Sequence, residues 1–388
     1  MDVMNWCLLW GVNWFQRGSL PLSAATIFAR RSAAARKRIA AAQRTLGEME
    51  DCSPKQVRRT SCCSPRPALE IAMRYLRCFL ILFLAVPLAA QTGGKPVTDF
   101  MAADHLFEYD QKQPLDIHDK IIAEFTGGTL HDITYTSPKG GPVAAYLIVP
   151  NGKGPFAAVL FGHWGNGTRA EFIPEAKLYA RAGAVSLIPD YPWDRPQPWR
   201  KTPNHFDKPE VDRGIEIQAV VDLRRGIDLL LARPDVDPKR LAYVGHSYGA
   251  QWGSILSAVD KRMKVSILMA GVAEMADILL RSDDPGMVDF RKTQPGGQLE
   301  KYSQVTGDID AIHFVGKAAP IPLLLQFANY EQYFDKTSME HYVAAASDPK
   351  KVLYYDTGHD LNDPQAFEDR YDWLVKQINL RREPVLIH

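Results

Sequence analysis

The feature that most constrains this chain is a succession of short, uninterrupted apolar runs separated by helical stretches, beginning near residue 130. The runs at 156–161, 184–188, 241–244, 265–269, 321–327 and 351–355 lack the polar alternation of a half-exposed strand. A strand covered on both faces has that pattern, and a parallel sheet sandwiched between helices supplies the cover. Two earlier runs, 130–135 and 143–149, flank Ser-Pro-Lys-Gly-Gly-Pro and read as an antiparallel pair joined by a turn. After Gly214, residues Val220, Leu223, Ile227, Leu230 and Leu231 recur at helical spacing. Near the C-terminus Phe367, Tyr371, Leu374 and Ile378 do the same behind an Asp363 cap, with Pro364 in the first turn. The expected fold class is therefore α/β, a mostly parallel twisted sheet with helices on both faces and an antiparallel start. Residues 272–318 fall between two strands and carry none of their own. Broken by Pro285, Gly286, Pro295, Gly296 and Gly297, they are expected to form a cap or lid insertion beside the site.

Composition divides the chain in two. Of 46 basic and 45 acidic residues in 388, residues 1–90 hold 13 Lys+Arg against 5 Asp+Glu, which leaves a mildly acidic body with no field to attract nucleic acid. All five cysteines (Cys7, Cys52, Cys62, Cys63 and Cys78) lie in the same N-terminal part. Residues 91–388 can therefore have neither a disulfide nor a cysteine nucleophile, and must hold together by core packing. Residues 73–90 have a basic start (Arg74, Arg77), an apolar run from Phe79 to Leu88 and small residues after it, the layout of a secretory signal peptide. The run is short for a bilayer span, so the expectation is a secreted or periplasmic protein with no stable membrane anchor after cleavage. Such a signal belongs at a chain start, so translation is expected to begin at Met73. Residues 1–72 are then an upstream extension, or else a disordered basic segment, and 91–388 form the folded domain.

Gly245-His246-Ser247-Tyr248-Gly249 follows the run at 241–244 and opens a helix-compatible stretch. This strand–turn–helix setting is the one in which G-x-S-x-G exposes a serine hydroxyl, with the Tyr248 N–H at the helix start free to face an oxyanion. A serine needs a base. His359, on the loop after the last strand, lies at the carboxyl edge of the sheet with the serine. An acid should orient that imidazole; Glu331, four residues past Phe327, is favoured over Asp335, eight past it, and over Asp356, because it follows the strand closely. The loop Phe161-Gly-His-Trp-Gly-Asn-Gly-Thr-Arg169 should give the second oxyanion donor, from Gly165 or Trp164. Trp164, Tyr191, Trp193 and Trp199 are candidates for the walls of a substrate pocket. No H-E-x-x-H, Gly-rich phosphate loop or dense His/Asp cluster occurs, and no metal or cofactor is expected.

These residues carry a resemblance. Gly162-His-Trp-Gly-Asn-Gly-Thr-Arg169, the run from Ala219 to Asp228, Ala232-Arg-Pro-Asp-Val-Asp-Pro-Lys-Arg240, the Ser247 turn and Thr357-Gly-His-Asp360 together resemble the α/β-hydrolase superfamily. Within it they are similar to the serine esterases related to dienelactone hydrolases and acetyl xylan esterases, over about residues 125–382. The resemblance implies Ser247 as nucleophile, His359 as base, Glu331 as acid, and Tyr248 and Gly165 as oxyanion donors. Dienelactone hydrolases proper use a cysteine where this chain has Ser247. Glu331 stands where Asp is usual, and Trp164 where Gly is common. The expected function is hydrolysis of a small-molecule carboxylic ester through an acyl-enzyme. A peptidase of the prolyl-oligopeptidase kind and a catalytically silent binding protein are the alternatives, and the sequence leaves the oligomeric state open.

Overall fold

The computed structural model describes residues 103–383; the segments 1–72 and 73–90 singled out above lie outside the described residues. Nine strands make one sheet: β1 (His118–Phe125), β2 (Gly128–Thr136), β3 (Pro142–Pro150), β4 (Phe156–Gly162), β5 (Ala184–Pro189), β6 (Val236–His246), β7 (Val265–Met269), β8 (Leu323–Ala328) and β9 (Lys350–Tyr355). Their spatial order is β1-β2-β3-β5-β4-β6-β7-β8-β9. The first three are antiparallel to their neighbours, and β5 through β9 run parallel. The eight expected strands are all present. β1 was not foreseen because its residues show no alternation and most are exposed; it is an edge strand fixed by pairing to β2, with a bulge between Ile121 and Ala123.

Among the described residues seven α-helices accompany the sheet: α1 (Ile173–Arg181), α2 (Pro209–Ala232), α3 (Tyr248–Val259), α4 (Pro285–Thr293), α5 (Gln298–Thr306), α6 (Lys336–Ala345) and α7 (Pro364–Ile378). Alternate residues of one strand feed opposite cores. On β4, Ala158 and Leu160 pack with Val220, Ile227, Trp252 and Leu256 of α2 and α3, while Val159 and Phe161 pack with Tyr179, Tyr371 and Leu374 of α1 and α7. Helix α2 starts five residues before Gly214, because Pro209 occupies the first turn and Glu210 and Asp212 complement the positive end of the helix dipole. Asp363 caps α7 through bonds from the Gln365 and Ala366 N–H groups. Residues 272–318 form a π-helical turn (Asp277–Arg281), α4, α5 and three 3₁₀ turns. Pro285 begins α4 rather than breaking it, and Gly297, in the left-handed region at φ 76°, begins α5. Among the described residues no helix is long and apolar enough to cross a membrane.

One buried ion pair fixes the loop after β5 to the body. Arg195, wholly buried, bonds to Asp222 of α2, which also accepts from the Ser137 hydroxyl, and Gln218 Nε2 donates to Ser137 at 3.2 Å. Removing Asp222 leaves a guanidinium without its charge partner in the interior, which typically costs 3–5 kcal/mol. Asp222→Ala is expected to lower the stability measured by urea unfolding by about that amount; a loss under about 1 kcal/mol would show the pair to be dispensable.

Candidate active site

The carboxyl ends of β4, β5, β6, β8 and β9 lie on one edge of the sheet, and the segments leaving them carry every candidate residue. Ser247 sits between β6 and α3 at φ 56°, ψ −113°, a left-handed conformation that non-glycine residues seldom adopt. The turn fits only because its neighbours lack side chains. A Cβ on Gly249 would lie 2.1 Å from the Gly162 carbonyl oxygen, and one on Gly245 would lie 2.3 Å from the Gly249 oxygen. The Ser247 N–H is held by the Met269 carbonyl at 2.8 Å, so the side chain projects at the helix start.

Ser247 Oγ is 2.9 Å from His359 Nε2, and His359 Nδ1 is 2.7 Å from Glu331 Oε2. The side chains of His359 and Glu331 are each 2% exposed. A carboxylate at Nδ1 takes that N–H, which leaves the Nε2 lone pair to accept the serine proton. The other Glu331 oxygen accepts from the Gln332 and Tyr333 N–H groups at 2.9 and 3.0 Å, and the Tyr333 ring stands edge-on to His359. The remaining acid candidates are engaged elsewhere. Asp335 caps α6 through Ser338 N, and Asp356 accepts from Asn329 Nδ2.

Of the two possible donors in the loop after β4, the Trp164 N–H is already given to Glu171 Oε2 at 2.8 Å. Gly165 lies against the Tyr248 ring, where a Cβ would come within 2.5 Å of it, and its carbonyl is held by Trp193 Nε1 at 3.2 Å. The Tyr248 N–H belongs to the first turn of α3, where no intrahelical acceptor reaches it. The structure thus sets Gly165 and Tyr248 side by side at the serine.

Sequence reasoning missed what binds these parts together. His246, the variable residue before the serine, is buried, with Nδ1 2.7 Å from Glu171 Oε1 and Nε2 2.9 Å from the His359 carbonyl oxygen. Both partners are acceptors, so both ring nitrogens carry protons and the ring is cationic. Burial works against that charge, but the hydrogen bond and charge of Glu171, aided by the His359 carbonyl, outweigh it and raise the pKa above 6.5. Glu171, through His246, thereby joins the loop after β4, the serine turn and the loop after β9, and the Trp164 ring stacks over His246. His163, one residue earlier, is wholly buried and is pushed down to about 4 by desolvation.

Two cavities open near the serine turn, the narrower lined by Ser247 and His359 and the wider by Gly165 and Tyr248. The narrower is mostly apolar, walled by Met275, Ile278 and Leu279 from the π-helical turn and its approach, by Met287 and Phe290 of α4, and by Phe206. The wider is more polar and runs past Gly165, Trp193, Asp194, Asp212, Glu216 and Gln298. Asp212 accepts from the Asn204 and His205 N–H groups and the Tyr302 hydroxyl, which fixes the lip between the cavities. Burial, then Asp310 and Asp212, push Glu216 up to about 8, so it adds little negative charge at neutral pH. Of the expected pocket walls, Trp193 borders this cleft, together with Tyr248. Tyr191 does not: it is 2% exposed, its ring tilted against His163 and edge-on to Trp252, with its hydroxyl donating to the His163 carbonyl. Trp164 lines neither cavity because its ring is turned onto His246, and Trp199 is half-exposed over Gly141.

The sheet order and the strand–serine–helix turn are those of the α/β-hydrolase fold. Solved structures agree with it. An acetyl xylan esterase from Paenibacillus sp. R4 is 18% identical, with a TM-score of 0.59 over 72% of this chain and 95% of its own. Acetyl xylan esterase 1 from Thermoanaerobacterium sp. JW/SL YS485 is 16% identical, with a TM-score of 0.59 over 72% and 94%. The 2,6-dihydroxy-pseudo-oxynicotine hydrolase is 15% identical, with a TM-score of 0.50 over 70% and 71%. No family model matches the sequence, and no match was found among curated proteins.

Because the folded pKa of His246 is raised, the stabilisation from its pair with Glu171 is complete below pH 6.5 and is lost as pH rises through the raised value. Glu171→Gln is therefore expected to lower stability by about 1–3 kcal/mol at pH 6 and by clearly less at pH 9. Thermal unfolding of both proteins across that range measures it; a difference independent of pH would remove the cationic histidine.

Proposed function

We propose that this protein is a serine esterase that cleaves a small-molecule carboxylic ester through an acyl-enzyme. The observation that carries this reading is the hydrogen-bonded chain from Ser247 Oγ through His359 to Glu331, set at the start of α3 beside Gly165. His359 Nε2 takes the serine proton as Oγ attacks the ester carbonyl, and Glu331 stabilises the imidazolium that forms. The Tyr248 and Gly165 N–H groups receive the developing oxyanion, at about 3 kcal/mol each for such donors. His359 then returns the proton to the leaving alcohol, and the same base activates water to release the acid. The apolar cavity suits the acyl group and the polar cleft the alcohol. Segment 272–318, acting as a cap over the acyl side, would set chain length, and residues 73–90 would direct the protein out of the cytoplasm.

Hydrolysis of p-nitrophenyl esters of graded chain length tests the reading. Ser247→Ala is expected to reduce kcat/KM by about 10⁴-fold or more while leaving the fold unchanged, and to abolish labelling by a serine-directed phosphonate. A folded wild-type protein that neither hydrolyses any chain length nor takes the label would overturn it. Leu279→Trp, which fills the acyl cavity, is expected to cut activity on the longest accepted ester by about tenfold or more while sparing acetate; equal effects on both would place the acyl group elsewhere.

A further inference from the structure

Next to the Gly165 loop, His163, Asp190 and Asp194 converge, with one ligand atom from each lying within 4.8 Å of the other two. His163 Nδ1 donates to the Trp164 carbonyl at 2.7 Å, which fixes the proton on that nitrogen and turns the Nε2 lone pair inward. Nε2 faces Asp194 Oδ2 at 3.7 Å, and neither atom has a hydrogen-bond partner although both are buried. Two lone pairs directed at each other in the interior repel, and 3.7 Å is too long for a shared proton. It is the separation of two ligands on one metal ion: bonds of about 2.0–2.2 Å set ligand atoms about 3.4 Å apart at a tetrahedral angle, and more as the angle opens. Asp190 completes the set. Its Oδ1 accepts from the Arg169 N–H and its Oδ2 is ion-paired with Arg169 Nε, both at 3.1 Å, and each oxygen keeps a further lone pair. The Tyr191 ring lies 3.9 Å from that of His163, and the Tyr191 hydroxyl holds the His163 carbonyl, so the imidazole cannot turn away.

We propose that His163, Asp190 and Asp194 bind a divalent cation of the zinc type, which clamps the loop bearing Gly165 to the loop after β5. A neutral imidazole with two carboxylates suits zinc. Magnesium and calcium call for six or more oxygens, and only three protein groups converge here. Asp194 borders the polar cleft, which gives the ion a way in. None of the three ligands belongs to the Ser247–His359–Glu331 chain, so the work of the ion is structural: it ties residue 163 to residues 190 and 194, on either side of the Trp193 that holds Gly165.

The test is metal content and thermal unfolding of the full chain, neither of which depends on ester hydrolysis. After dialysis against a chelator, added zinc chloride is expected to raise the unfolding midpoint by about 4 °C or more. Purified protein is expected to carry about one zinc per chain. Asp194→Asn, which keeps shape at a partly exposed side chain, should weaken zinc binding at least tenfold, and His163→Gln should do the same. No midpoint shift with zinc overturns the proposal. So does a shift that persists in Asp194→Asn, or one produced by calcium or magnesium and not by zinc.

Discussion

Everything at this site depends on one backbone constraint, the left-handed turn of Ser247 wedged between a buried strand and a helix. That conformation is costly for a residue with a side chain, and it survives because the surroundings leave no alternative. Above the turn, Gly249 presses on the Gly162 carbonyl; below it, Gly245 presses on Gly249. The same closeness that forbids a Cβ at either position brings the end of β4 against the start of α3, so the backbones of Gly165 and Tyr248 become neighbours. The serine hydroxyl, the oxyanion donors and the approach of the base all follow from how tightly β4, β6 and α3 can be drawn together.

A second layer keeps that arrangement in register. The parallel sheet delivers three loops to one edge, but loops drift, and the buried His246–Glu171 pair joins all three. A charged pair of this kind is weak evidence for stability, since desolvation offsets much of its attraction. Its effect here is geometric: Glu171 holds Trp164 on its own loop and His246 at the end of β6, and His246 holds the His359 carbonyl on the loop after β9.

How much could be read from the sequence follows from where each signal resides. The strands β4 to β9 were legible because burial on both faces writes itself as continuous apolar residues. β1 was not, since an exposed edge strand leaves no such trace. Ser247 was legible because glycine spacing encodes the turn, and His359 because it follows the last strand; the acid was narrowed to three carboxylates, and only side-chain geometry separates Glu331 from Asp335. Glu171 gave no signal at all, because an acidic residue in a loop looks solvated until the fold buries its partner. The same holds for His163, Asp190 and Asp194: spread over 32 residues of sequence, they form no cluster until β4 and β5 pair side by side. Tyr191 was read as a wall residue because aromatic loop residues near a site serve equally as lining and as foundation, and the sequence does not record which way a ring turns.

The bond from the Trp193 indole to the Gly165 carbonyl has a consequence for anyone who would redesign this protein. Trp193 is at once a face of the polar cleft and the support of the Gly165 backbone, so on the proposed function the surface that would select an alcohol and the support of an oxyanion donor share one side chain. Replacing it to admit a bulkier substrate would loosen the donor in the same stroke. The opposite cavity has no such entanglement. Its walls come from α4 and the π-helical turn, which hang outside the sheet, and selectivity for the acyl group can be remodelled there while the machinery at the sheet edge stays as it is.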